Sequence, residues 1–504
     1  MASHLYTDCL VKIFGFLGDN NLLSLHSCAL VNKSWSQCAV PIMWENTLDE
    51  KILMGKNEKK KRFTIINTYI SGLPKVSLNL FKMEKILSPT TNNLKYPTFP
   101  YASYLRYLDL RCFYIAVQSW IDYSDAWTKK GFTGDQIKLV LQELLQQFFC
   151  LSPRINVLRV NVDIIGAIVV DILENNPESR KCLTHLKEFT YFAEHPTMET
   201  LFSRISQISN YIERLDLSVY DDRTEELINL IRVQKNLKVL IITNRTNSPL
   251  GFKFWNETEA GKAITEKSRS IKCLEIQKIH FPFYDLVHFK NLIELNLLYS
   301  GLYNLQDWID LSNIKLKNLQ KILYQNRNSL YLDIFSKFLG NIGKSLSYIK
   351  IHCCTICDPD KSNNLITSIA NNCPKLKYFS GPIGANNSIE LGKLLNSCSI
   401  IETLELHPSI DNCRQTASPI DFNSLFRKIT IKQPWNLKEL FIIHGWKFSV
   451  QVLENFIKSR QRISKKVKIF WNDCEILGNY EKICLEYQKN GALDKYGKIN
   501  SIKY

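Results

Sequence analysis

The 504-residue sequence predicts an α/β fold in which short parallel strands alternate with helices, preceded by a small all-α module. Three observations lead there. A spacing of apolar, two residues, apolar, one residue, apolar returns about a dozen times from residue 105 onward. Stretches with helical periodicity separate many of the copies. Residues 1–48 hold three short amphipathic patterns and two tryptophans, Trp35 and Trp44, in a segment that is small for an independent domain.

The repeated spacing reads Leu105-Leu108-Leu110, Ile155-Leu158-Val160, Ile212-Leu215-Leu217 and Leu237-Leu240-Ile242, and continues to Leu437-Leu440-Ile442. Degenerate copies stand at Leu186-Phe189-Tyr191 and Leu376-Phe379. Most copies start 21 to 36 residues apart. The second and third apolar positions flank one residue, so both point to the same side of a strand. Glu225 to Ile231, Tyr331 to Leu339, Leu365 to Ala370 and Ile389 to Leu395 supply helices between strands. One strand and one helix cannot bury their faces alone, so each unit must stack on the next. The pattern resembles leucine-rich repeats of the longer, helix-containing kind, which implies a solenoid, or horseshoe. The asparagine that the family places after the strand is mostly absent, so the repeats are irregular. A non-repeat α/β domain is the alternative.

At the N-terminus, Leu10, Ile13, Phe14 and Leu17 fall at i, i+3, i+4 and i+7, one stripe of a helix. Thr7 and Asp8 precede the stripe, where short polar side chains accept first-turn N–H groups. Gly18-Asp19-Asn20-Asn21 breaks the helix. Leu22, Leu23 and Leu25 open a second helix, and Leu30, Val31 and Trp35 a third, which Val40-Pro41 is expected to stop.

The segment resembles an F-box of the fungal type. Leu5-x-x-Asp8-Cys9-Leu10-x-x-Ile13-Phe14 matches its start, Cys28-x-Leu30-Val31-Asn32-Lys33-x-Trp35 its centre and Val40-Pro41-Ile42-x-Trp44 its end. The family usually has proline after the first leucine; here it is Tyr6, which loosens a preset turn. The Cys373-Pro374-x-Leu376 and Cys398-x-x-Ile401 spacings likewise resemble repeats of F-box proteins. The resemblance implies docking on a Skp-family adaptor and, through it, a cullin. Leu5, Leu10, Ile13, Phe14, Leu17, Leu30, Val31, Val40 and Pro41 would then form or support the adaptor face, with Trp35 and Trp44 anchoring the helices. Apolar spacing alone favours reading these helices as an N-terminal cap of a larger domain; the full motif reverses that balance. The expected organisation is an F-box over 1–48, a partly helical connector over 49–104, with Phe63 to Leu73 as its helix and Ser88 to Asn93 and Tyr96 to Pro100 as loops, and the solenoid over 105–504.

Composition limits the function classes. A hydrophobic content of 45% and a charged content of 22% are those of a globular protein. No apolar run reaches the length of a membrane span; Ile164 to Leu173 is the nearest and contains Asp171. The N-terminus lacks a basic region of the secretory kind. Fifteen scattered cysteines suit reduced thiols in the cytoplasm or nucleus. The net charge of +16 is uneven: residues 1–50 hold two basic and five acidic residues, and residues 414–504 seventeen and eight. Lys59-Lys60-Lys61-Arg62 has the composition of a nuclear localisation patch. The other lysines are spread rather than clustered, which argues solubility before nucleic-acid binding.

Three stretches imitate chemical motifs, and each lacks residues that its chemistry requires. Gly343-Lys344-Ser345 imitates the end of a phosphate-binding loop, but Phe338 stands where its first glycine belongs. Asp358-x-Asp360-x-Ser362-x-Asn364 imitates a calcium loop, but Asn363 and Ile369 replace the glycine and glutamate. His352-Cys353-Cys354-x-x-Cys357 lacks a second ligand pair. No cofactor, metal or catalytic group is expected. The reading is a non-catalytic substrate-recognition subunit of a Skp–cullin–F-box ubiquitin ligase, binding an unknown target through the repeats. Asp216, Glu275, Asn296, Lys350 and Glu405, inside the strands, are the target-facing candidates or else solvated strand residues. An F-box scaffold outside any ligase and a basic nucleic-acid-binding repeat protein are the alternatives.

Overall fold

The structure, a computed structural model, describes residues 6–498 apart from 19–20, 54–57, 88–95, 126–131, 193–198, 220–224, 246–258, 280–282, 299–304, 327–331, 354–358, 385–386, 409–419, 433–435, 444–445, 464, 473 and 478. It divides into two compact units, Met1–Leu237 and Lys238–Tyr504. Leu5, the loop expected over Ser88 to Asn93, and Cys354 and Cys357 lie outside the described residues.

Among the described residues, the first unit begins with the helices α1 (Thr7–Gly18), α2 (Leu22–Ala29), α3 (Lys33–Trp44), α4 (Glu50–Leu53), α5 (Glu58–Ser71) and α6 (Lys75–Met83). Then come β1 (Tyr107–Asp109), α7 (Leu110–Asp125), α8 (Gly134–Leu151), β2 (Val157–Val160), α9 (Asp163–Asn175), α10 (Pro177–Lys181), β3 (Glu188–Tyr191), α11 (Glu199–Ile208), β4 (Arg214–Val219) and α12 (Glu225–Arg232).

Local chemistry sets the first helices. The Asn21 side chain accepts from Ser24 N at 3.1 Å and that of Asn32 from Trp35 N at 2.9 Å, satisfying first-turn donors of α2 and α3. Leu10, Phe14, Leu25, Cys38 and Ala39 form a small core, flanked by Leu17, Cys28, Ala29, Trp35, Ile42 and Met43. Phe14 and Trp35 meet edge to face at 5.2 Å. Gly18 permits the approach of α3, because a Cβ there would sit 2.8 Å from the Ile42 side chain. Two expectations are corrected. Pro41 lies inside α3 rather than ending it; the helix loses one N–H there, but Trp44 beyond it packs 4.1 Å from Tyr101 and 5.4 Å from Tyr69. Leu30 and Val31 precede α3, in the turn after α2, because the cap is Asn32.

The chain leaving α3 becomes the first rung of a ladder. Arg106 N and Tyr107 N both donate to the Glu45 carbonyl, at 2.9 and 3.1 Å, and Leu48 bridges to Leu108 in parallel. The same two-donor pattern then repeats: Asn156 and Val157 to the Arg106 carbonyl, Lys187 and Glu188 to that of Asn156, Glu213 and Arg214 to that of Lys187. Leu108, Leu158, Phe189 and Leu215 align in register, each fully buried.

The second unit holds β5 (Val239–Asn244), α13 (Glu259–Glu266), β6 (Cys273–Gln277), β7 (Glu294–Leu298), α14 (Leu305–Asn313), β8 (Lys321–Asn326), α15 (Leu332–Ile342), β9 (Tyr348–Cys353), α16 (Pro359–Asn372), β10 (Tyr378–Ile383), α17 (Ser388–Ser397) and β11 (Thr403–Pro408). It ends with β12 (Ile420–Asp421), α18 (Asn423–Lys432), β13 (Glu439–Ile443), β14 (Trp446–Ser449), α19 (Val450–Arg462), β15 (Val467–Asn472), β16 (Glu475–Leu477), α20 (Tyr480–Lys489) and β17 (Leu493–Lys498).

Its main sheet runs β5-β6-β7-β8-β9-β10-β11-β13-β15-β17. The pairings are parallel, as helical crossovers require. Leu240, Leu274, Leu295, Ile322, Ile349, Phe379, Leu404, Leu440 and Ile469 share one register line and are all fully buried. This column is the core of the unit. At several repeats a polar side chain one residue before the first apolar position ties the turn to its predecessor. Asn291 donates to the Arg269 carbonyl at 2.7 Å, Asn318 to that of Lys290 at 2.9 Å and Ser345 to that of Leu319 at 2.7 Å. The structural asparagine therefore precedes the strand.

The spacing did not mark β15 and β17, nor a second sheet of order β12-β14-β16. There Trp446 and Phe448 pack on Phe422 and Phe426.

Candidate docking site on the N-terminal helices

The three-helix core is filled by few residues, so many large apolar side chains remain outside. Tyr6 is 84% exposed, Leu23 82%, Phe16 80%, Leu30 74% and Val31 58%. Ile13, Val11 and Leu22 are also exposed. Exposed apolar residues scattered singly are ordinary, but a cluster on one small module is the mark of an interaction site.

The residues implied by the resemblance sort into distinct roles. Leu10, Phe14 and Val40 are buried. Leu17, Trp35, Pro41 and Trp44 are half-buried. Trp44 faces Tyr69 and Tyr101, and Tyr69 in turn shares a 2.6 Å hydrogen bond with Thr47. Ile13, Leu30 and Val31 are on the outside. Sequence reasoning missed Phe16 and Leu23 as surface residues. The signal was present: Phe16 lies two residues from Phe14, about 200° around a helix and off the buried stripe.

The strand candidates engage one another. Glu275 accepts from the Asn296 amide at 3.0 Å, and Asp216 lies 3.6 Å from Arg214. Lys350 Nζ is 3.9 Å from Glu405, whose carboxylate also accepts from Tyr378 Oη at 2.5 Å and lies 3.0 Å from His407 Nε2. His407 Nε2 is also 3.0 Å from Ser380 Oγ. Tyr348 and Tyr378 stack at 4.1 Å beside them. Burial opposes ionisation of Glu405, but His407, Tyr378 and Lys350 outweigh it and hold the carboxyl at about 2. Burial first, and then the neighbouring Glu405 charge, raise the Tyr378 phenol far above its ordinary range. These contacts bind β9, β10 and β11 to one another.

Gly343-Lys344-Ser345 forms a 3-10 turn ahead of β9, with no helix after it. Among the described residues, no cluster of three or more His, Cys, Asp or Glu side chains is placed to hold a metal ion, and no helix is long and apolar enough to cross a membrane.

Fold and surface together define a parallel strand–helix repeat protein whose N-terminal helices leave several large apolar side chains exposed. No protein-family model and no curated protein matches the sequence. Among solved structures, the chain is similar to an internalin from Listeria monocytogenes, at 14% identity over 64% of this chain and 83% of that one, with a TM-score of 0.36. It is also similar to a chain of the Rad7 and Elc1 complex from yeast, at 10% identity over 85% of this chain and 94% of that one, with a TM-score of 0.38. At these scores the repeat assignment rests on the strand register and the buried column.

Proposed function

We propose that the chain is a non-catalytic substrate-recognition subunit of a Skp–cullin–F-box ubiquitin ligase. The N-terminal helices dock on a Skp-family adaptor and the repeats hold a target protein. One observation carries the reading: the segment with the F-box-like motif has its own core and still exposes Leu23, Leu30 and Val31. The work of such a subunit is positional. Holding an acceptor lysine near a ubiquitin thioester raises its effective concentration without a reacting group on this chain.

The test is capture of a purified Skp adaptor and cullin by the full chain. Leu23→Glu with Leu30→Glu is expected to abolish capture while leaving thermal unfolding unchanged, since both side chains are already in water. A wild-type chain that does not bind the adaptor sinks the reading. Adaptor binding without ubiquitin transfer to any captured protein would replace the ligase role with that of a scaffold.

A further inference from the structure

Five consecutive strands of the second unit start at one edge of the sheet, where Cys273, Glu294, Lys321, Tyr348 and Tyr378 align in register. Four residues before the first four of these stand Arg269, Lys290, Lys317 and Lys344, and three before the fifth stands Lys375. All five are exposed. Among the described residues their side chains make no ion pair, while nearby Glu294 is committed to Lys321 at 3.6 Å. The row is invisible as a charge run, because its members are 21 to 31 residues apart in sequence.

Adjacent strands lie about 4.8 Å apart, so the four strand starts that follow the first four cations span roughly 15 Å. Neighbours fall well inside the Debye length of about 10 Å at 0.1 M salt and repel one another. A polyanion laid along the edge relieves that repulsion at every rung.

We infer that this strand-start edge is a docking surface for an extended acidic segment of a partner protein. An extended chain advances about 3.3 Å per residue, so four or five residues cover that span. Single-stranded nucleic acid sites interleave cations with exposed aromatic rings that stack on bases. Along this edge the described rings are Phe289, which is fully buried, the single exposed imidazole of His288, and Tyr348 and Tyr378, which stack on each other at 4.1 Å, so the cations do not alternate with exposed aromatic rings. The inference rests on the repeat ladder and is independent of adaptor docking, so loss of one leaves the other standing.

The test is fluorescence anisotropy of the full chain with a labelled oligoglutamate peptide, and with an oligoadenylate of equal charge as competitor. Arg269→Gln, Lys290→Gln, Lys317→Gln and Lys344→Gln combined are expected to weaken peptide binding by roughly tenfold or more, the sum of four modest exposed contacts. Lys393→Gln, Arg462→Gln, Lys482→Gln and Lys489→Gln remove the same charge from exposed helical sites and are expected to change it by less than about twofold. Equal losses in both variants, no loss in the row variant, or oligoadenylate binding the row more tightly than the peptide would each overturn the inference.

Discussion

The backbone carbonyl of Glu45 accepts the N–H groups of Arg106 at 2.9 Å and of Tyr107 at 3.1 Å, the same two-donor junction that joins successive repeats. The end of the N-terminal helical module is thus also the first rung of the strand ladder in its unit. Sequence reasoning set an external partner against the repeats as alternative completions of this module. The fold uses both sides, with Trp44 to Leu48 spent on the ladder and Leu23, Leu30 and Val31 left in water.

The first rung carries a stability consequence. Leu48 is fully buried against this junction, so Leu48→Ala is expected to cost about 2–5 kcal/mol. Hydrogen exchange should show β1 losing protection first. Unchanged protection of Tyr107 N would mean that the rung is not structural.

Glu405 gives an acid-side signature. Its folded pKa of about 2 is depressed below the ordinary 4.5, so the stability it contributes is present above the ordinary value and is lost as pH falls toward about 2. Glu405→Gln should therefore flatten the fall in melting temperature between these two pH values and cost a few kcal/mol near neutrality. A variant whose acid limb parallels the wild type would show that the carboxylate is not held by His407, Tyr378 and Lys350.

Two glycines should respond oppositely to alanine. At Gly343 a Cβ would meet the Asn372 carbonyl at 2.7 Å and Cys373 Sγ at 2.8 Å, so Gly343→Ala is expected to destabilise by about 1–3 kcal/mol. Gly15, inside α1, has nothing within 4 Å of its Cβ position, so Gly15→Ala should stabilise that helix by about 1 kcal/mol. Urea unfolding of the two variants measures both signs.

Trp35 separates folding from docking. It packs on Phe14 in the small core, so Trp35→Ala should lose adaptor capture together with helical signal, by about 3 kcal/mol or more. Leu30→Glu should lose capture alone. Circular dichroism alongside the capture assay distinguishes them, and identical behaviour of the two variants would refute the division into core and face.

Local periodicity determined much of this protein from sequence alone. The spacing of Leu158 and Val160 or Leu404 and Leu406 is a property of the strand itself, where alternate residues share a face, and it marked the buried column before any partner strand was known. Helix spacing likewise marked Leu10 and Phe14 as one stripe. The tertiary structure alone decided what depends on neighbours distant in the chain. It carried α3 through Pro41, because Trp44 finds Tyr69 and Tyr101 beyond it. It added the β12-β14-β16 sheet, whose short strands carry too few residues to show a period. It aligned the strand starts Cys273, Glu294, Lys321 and Tyr348, each four residues after a cation, since only strand register brings such distant segments to one edge. Periodicity fixes which face a residue shares with its neighbours in sequence; what covers that face is settled only when the chain folds back upon itself.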